Sequence, residues 1–287
     1  MTRPARPLLR HLTVTVSFAL AMLGTAVGVG AFGGDPIDEA AGGLLAADAT
    51  HLAPATGAFR IWSLIYLGLG AYAVWQWWDR HDHRGVALPA IASLLLNAAW
   101  ILSIQAGAVV VSVVVIVLLL AVLGLLAHRL TARPAGGTLE RLVVDGTFGV
   151  YLGWVSVATC ANIAAALKGT GFAGFGAPGV LAAAVLAVVA VLGVALVRAG
   201  GRPVAAPAAM IWGLAWIAVG RALDAPHSPV TAVAALAAAA VIAAAAVWAW
   251  WRTAQAPEPG RSPSAVRPAA EAARSPRGGH RPTGLAR

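Results

Sequence analysis

Charge is scarce in this chain of 287 residues, of which only 11% are Asp, Glu, Lys or Arg, whereas soluble domains carry nearer a quarter. With 60% hydrophobic residues and a mean hydropathy of +0.80, the composition excludes a soluble globular protein and points to an integral membrane one. Cysteine is almost absent. Cys160 stands alone in an apolar segment, so no intramolecular disulfide can form. Lysine is reduced to Lys168. There is no CxxC, no HExxH and no histidine-rich helix, so no metal site is assigned. His81 and His83 lie beside Asp79 and Asp82 in a short loop that could in principle hold a metal, but a solvated basic connection is the simpler reading. A net charge of +9 would suggest nucleic acid in a soluble protein. Here it carries orientation, and no nucleic-acid partner is expected.

What the chain has in abundance is long, unbroken apolar runs. About 20 such residues cross a bilayer as a helix, whereas barrel strands would be short and alternating. The runs are 12–33, 59–78, 86–104, 108–127, 142–167, 180–197, 204–220 and 230–251. The expected fold is therefore all-α, a polytopic membrane bundle of about eight transmembrane helices. The sixth and eighth runs are rich in alanine and have soft boundaries. Arg3, Arg6 and Arg10 precede a first run longer than the apolar core of a signal peptide, which favours an uncleaved helix. Gly24 and Gly28 give that helix a close-approach face. Residues 34–58 form the longest connection, with Asp35, Asp38, Glu39 and Asp48 but no Lys or Arg, and a connection of that length suits a lid.

Basic residues are distributed unevenly between alternate connections. Seventeen of the twenty lie in the N-terminus, the second, fourth and sixth loops and the tail, leaving Arg60, Lys168 and Arg221 on the other side. By the positive-inside rule both termini are cytoplasmic, which requires an even number of spans. Residues 252–287, rich in Pro, Arg, Ala and Gly, are expected to be a disordered cytoplasmic tail. The abundance of Ala and Arg suggests a GC-rich bacterial source and hence its plasma membrane.

Several helices carry a face unsuited to lipid. At helical spacing Tyr151, Trp154, Ala158 and Asn162 share one stripe, and an amide in hydrocarbon needs a partner. Trp62, Tyr66, Gly70 and Ala73 share a face on the second span, while Asn97 and Trp100 stand one turn apart on the third. Trp154 and Trp100 are expected to line a pocket. The plainer roles are helix-to-helix hydrogen bonds for Asn97 and Asn162 and an interfacial anchor for Trp100. Trp75, Trp77 and Trp78 suit an interfacial belt. The fourth span, nearly all Val and Leu, is expected to face lipid, and Asp145 to pair with Arg141 one turn earlier.

In order, IWSLIYLGLG (61–70), LLNAAWIL (95–102) and VYLGWVSVATCANIAAAL (150–167) together resemble the tryptophan-rich sensory protein family, TspO/MBR, relatives of the eukaryotic translocator protein. The resemblance covers 12–168, a five-helix membrane domain. It leaves a basic N-terminus at 1–11, three further helices at 169–251 and the tail at 252–287. It implies a bundle that encloses planar hydrophobic molecules, porphyrins and sterols, beneath the loop joining the first two helices. Carried over by position, the site is Trp62, Tyr66, Asn97, Trp100, Tyr151, Trp154 and Asn162. Arg60, where the family usually has a neutral residue, is set to meet an anionic group on the ligand or to snorkel to head groups.

The expected function is that of a receptor or carrier for such a ligand, with a sensory or transport role. No cofactor is required, although a bound tetrapyrrole, porphyrin or haem, fits the resemblance. Partners are the hydrophobic ligand, the lipid bilayer and, as an option, a second copy in a homodimer. The alternative is a proton-coupled secondary transporter of a small hydrophobic or amphipathic substrate, with Asp145 titrating. No enzyme is expected, although porphyrin breakdown has been proposed for the family.

Overall fold

The computed structural model describes residues 5–33, 35–37, 39–79, 81–199 and 204–255. Arg3, Asp38, Arg80, Arg202 and the tail beyond 255 lie outside them, as does the side chain of Arg6. Eight long helices follow one another: α1 (Ala5–Gly28), α2 (Ile61–Trp75), α3 (Ala87–Gln105), α4 (Val109–Ala132), α5 (Thr147–Gly169), α6 (Pro178–Ala199), α7 (Ala205–Leu223) and α8 (Pro229–Ala254). All eight, α2 together with the 3-10 turn Thr56–Arg60 that leads into it, are long and apolar enough to cross a membrane, and no strand occurs among the described residues. The chain is thus an all-α membrane bundle.

Local chemistry sets several boundaries. Ser228 caps α8 by accepting from the amide of Thr231, with Pro229 in the first turn, where its missing N–H costs nothing. Asp82 caps α3 through the amides of Val86 (2.7 Å) and Ala87 (3.2 Å), and Asp79 accepts from the amides of His81 and Asp82. Both loop carboxylates therefore serve turns. The first helix ends at Gly28, short of the expected residue 33, and α2 ends at Trp75, before Trp77 and Trp78. Trp78 is exposed, as a belt residue should be, but Trp77 donates to Thr15 and stacks on His11. Its polar edge is thereby spent within the protein.

Helices pack in the order α1, α3, α4, α5, α7, α8, α6, with α2 laid against α1 and α5. Small residues permit the closest crossings. A Cβ on Gly28 would come within 2.9 Å of Ile101 on α3, and one on Gly153 would collide with the backbone carbonyl of Ala206 on α7. The second crossing joins the last three helices to the first five. Each group has its own apolar core, the first around Ile65, Leu94, Leu123 and Tyr151, the second around Leu186, Met210, Leu214 and Ile242.

Two expectations are corrected. The fourth helix does not simply face lipid: Ser112, Ile116, Leu119, Leu123 and Leu126 form a buried stripe along it, hidden from sequence inspection because both faces are aliphatic. Asp145 pairs with Arg84 in the α2–α3 loop at 2.6 Å, not with Arg141. A π-helical turn over Arg141–Gly146 leads into α5, and the wider winding alters the one-turn register on which the Arg141 pairing was based.

Candidate functional site

Trp62, on the first turn of α2, is the hub of the aromatic face. Its ring stacks with Tyr66 (5.3 Å between centroids, 19° between planes) and with Trp100 of α3 (6.4 Å, 25°). It meets Tyr151 and Trp154 of α5 edge-on, at 5.9 and 6.3 Å. Phe59 closes on Trp154 from the 3-10 turn before α2, 5.9 Å away and T-shaped. Edge-to-face and offset contacts of this kind suit the quadrupoles of the rings. Trp154 is 1% exposed and Tyr151 fully buried, so the α5 stripe turns inward.

Two amides organise the polar part. Asn97 donates to the Tyr66 hydroxyl at 3.0 Å. Asn162, 1% exposed, accepts from the indole N–H of Trp100 at 2.9 Å and donates to Ser112 of α4 at 2.9 Å. Trp100 is buried and does not act as an interfacial anchor. Ser112 is a site residue that sequence reasoning missed, since nothing in a Val- and Leu-rich run marks one hydroxyl as inward.

A small cavity of about 40 Å³ lies among Trp62, Asn97, Trp100, Trp154 and Asn162, with Ile116 and Leu119 on its α4 side. About 10–15 Å³ of such space holds one water, so there is room for a few waters at most, and the aromatic side chains themselves nearly fill the expected hollow. Tyr66 and Tyr151 stand behind Trp62 rather than on the wall, and Arg60 is exposed and away from the cavity. Among the described residues, four buried side-chain polar atoms lack a hydrogen-bond partner, and three of them, the Asn97 carbonyl oxygen, the Trp154 indole nitrogen and the Thr50 hydroxyl, belong to residues lining this cavity. Such atoms are costly to leave unpaired. Together these residues give the cavity lining unused donor and acceptor capacity.

The roof is the connection between α1 and α2, which presents Ile37, Leu44, Leu45, Thr50, Ala53 and Pro54. It is held by cations. Arg221 of α7, with no exposed surface, donates to the carbonyls of Ala47 (2.6 Å), Thr50 (3.0 Å) and Pro226 (3.2 Å). Lys168 of α5 donates to Ala49 at 2.6 Å. Trp212 donates to Ala58, and the amide of Ala55 to the carbonyl of Trp216. Two of the three basic residues on the sparsely charged side are thus roof anchors. Their position against the charge bias was the one signal in the sequence that set them apart.

At the other end Arg84 donates to both oxygens of Asp145 (2.6 and 2.9 Å), to Glu140 (3.1 Å) and to the carbonyls of Arg133 and Leu130. Burial opposes its charge, but the hydrogen bonds and charges of Asp145 and Glu140 outweigh that and raise its pKa. Asp145 lies 17 residues before Asn162, roughly 25 Å along the helix at 1.5 Å per residue, and does not line the cavity.

A protein-family model described as TSPO-like protein matches residues 11–248, from the first span into the eighth. Nothing matches among curated proteins or among solved structures.

Proposed function

The chain belongs to the TSPO-like protein family, and from that premise we propose that it is an integral membrane receptor or carrier for a planar hydrophobic ligand. The ligand class is a tetrapyrrole such as porphyrin or haem, or a sterol-like ring system, held between α2, α3, α4 and α5 under the roof loop. The observation that carries this reading is that Asn97, Trp154 and Thr50, each with an unpaired buried polar atom, all line a cavity walled by indoles. Flat apolar faces would meet Trp62, Trp100 and Trp154, while a polar edge would satisfy the orphaned donor and acceptor.

The cavity as it stands is a closed state. Binding requires Trp62, which is only half-buried, to swing from its stack and the roof to rise, and the affinity falls in proportion to the population of that open state. Proton-coupled transport through Asp145 has less support, because that carboxylate is held by Arg84 at the far end of α5. The bias of basic residues supports both termini on the cytoplasmic side, and the composition supports a bacterial plasma membrane.

The test is titration of the purified protein in mild detergent with protoporphyrin, read by the Soret band of the porphyrin so that removing an indole does not itself alter the signal. Saturable binding that weakens in both Trp62→Ala and Trp154→Ala is expected. Equal binding by wild type and both variants would place the ligand elsewhere.

A further inference from the structure

A second and larger hollow, about 440 Å³, lies between α5 and α6 beneath residues 49–52 of the roof, outside the aromatic cluster. Its volume falls within the roughly 300–1,000 Å³ of small-molecule sites. Ile163 and Ala164 of α5 face Leu181 and Val185 of α6 across it, so its length is aliphatic. The polar groups gather at the loop end, where Lys168 and His51 border it. Cys160 marks the deep end, eight residues before Lys168 and so about 12 Å along the helix.

The mouth favours negative charge. Lys168 spends one N–H on the carbonyl of Ala49, and an ammonium has three donors, which leaves two. The first turn of α6, at Pro178, adds the positive end of a helix. Among the described residues no Asp or Glu lines the hollow, and the neighbouring Asp48 is exposed. Burial, then the charge of Arg221, lowers the pKa of His51, so near neutral pH its imidazole is an uncharged hydrogen-bonding group.

We propose that this hollow binds a single-chain anionic amphiphile, a long-chain carboxylate, with its tail between α5 and α6 and its carboxylate on Lys168 beside His51. A slot with aliphatic walls and a cation at one end complements a chain better than a ring. The site is distinct from the aromatic cavity, although both lie under the same roof. Thr50 borders both hollows, and α5 separates them.

The test uses the full chain in nanodiscs of zwitterionic lipid, with a long-chain fatty acid that carries a diazirine in its tail. After irradiation, mass spectrometry should place the label on the α5 segment 160–167 and the α6 segment 181–185. Ala164→Phe should abolish it while leaving protoporphyrin binding unchanged, and Leu181→Phe repeats the block from the opposite wall should the first variant fail to fold. Lys168→Gln should weaken binding about ten-fold, the loss of a charge-assisted contact, with Lys168→Arg largely restoring it and the methyl ester of the probe binding wild type no better than the acid binds Lys168→Gln. A parallel arm with the same diazirine chain on phosphatidylglycerol separates sources: label from the phospholipid but not the free acid would overturn the carboxylate assignment in favour of a lipid phosphate. Label spread evenly over the lipid-facing helices, or equal binding of acid and ester, would overturn the site itself.

Discussion

The indole N–H of Trp100 on α3 points at the carboxamide oxygen of Asn162 on α5, 2.9 Å away, and the same carboxamide donates to Ser112 on α4. One amide therefore joins three helices around the cavity. The same side chain also lines the cavity.

Asn162→Ala should remove the joint and leave the Trp100 N–H buried without an acceptor. Each such unmade bond costs about 1–3 kcal/mol, although in membranes the measured average is lower. Thermal unfolding in detergent, followed by circular dichroism, should show a clearly reduced midpoint. An unchanged midpoint would mean that the joint contributes nothing.

Gly153→Ala should drive α5 from α7, because the added methyl has the carbonyl of Ala206 in its place and backbone cannot rotate aside. Overpacking of this kind costs about 1–3 kcal/mol or more. Gly124 of α4, with nothing near its absent Cβ, is the comparison. There alanine should be neutral or stabilise by up to about 1 kcal/mol. The same melting experiment on both variants separates the crossing from a general effect of replacing glycine.

Arg221→Met should free the roof. It removes the side-chain donor from the carbonyls of Ala47, Thr50 and Pro226, of which Thr50 keeps the amide of Ala53, a local loss on the order of 2 kcal/mol. Limited proteolysis should cut faster between residues 39 and 58, and protoporphyrin should associate faster. Cleavage and association at wild-type rates would show that the anchors do not govern opening.

Acid should weaken the same roof through His51. Its pKa in the fold lies below the ordinary 6.5, so on acidification the unfolded chain takes up the proton first, and stability falls as pH drops through 6.5 toward the folded value. The difference in melting midpoint between wild type and His51→Gln should therefore shift against the wild type between about pH 7.5 and pH 5.5. A difference that is constant across that range would place His51 outside the linkage.

Features that depend on spacing within one helix were legible in the sequence. The stripe of Tyr151, Trp154, Ala158 and Asn162 follows from 3.6 residues per turn, and so does the pairing of Asn97 with Trp100 on one face. Features that depend on a meeting between distant segments were not. Arg84 and Asp145 are 61 residues apart, and a local rule led instead to Arg141. Ser112 is silent because hydropathy does not distinguish the two sides of an aliphatic helix. The near filling of the aromatic cavity depends on rotamers, and spacing can place Trp62 and Trp100 on facing surfaces without showing that their rings would stack across the gap.

Lys168 and Arg221 grip neighbouring peptide units, Ala49 on one side and Ala47 and Thr50 on the other, from two different helices. Four residues of the roof are in effect a strap buckled to α5 and α7. If those helices slide, the strap must tighten or let go. A disturbance at the seam between the last three helices and the first five would therefore reach Thr50 mechanically, through these hydrogen bonds and the short length of chain between them.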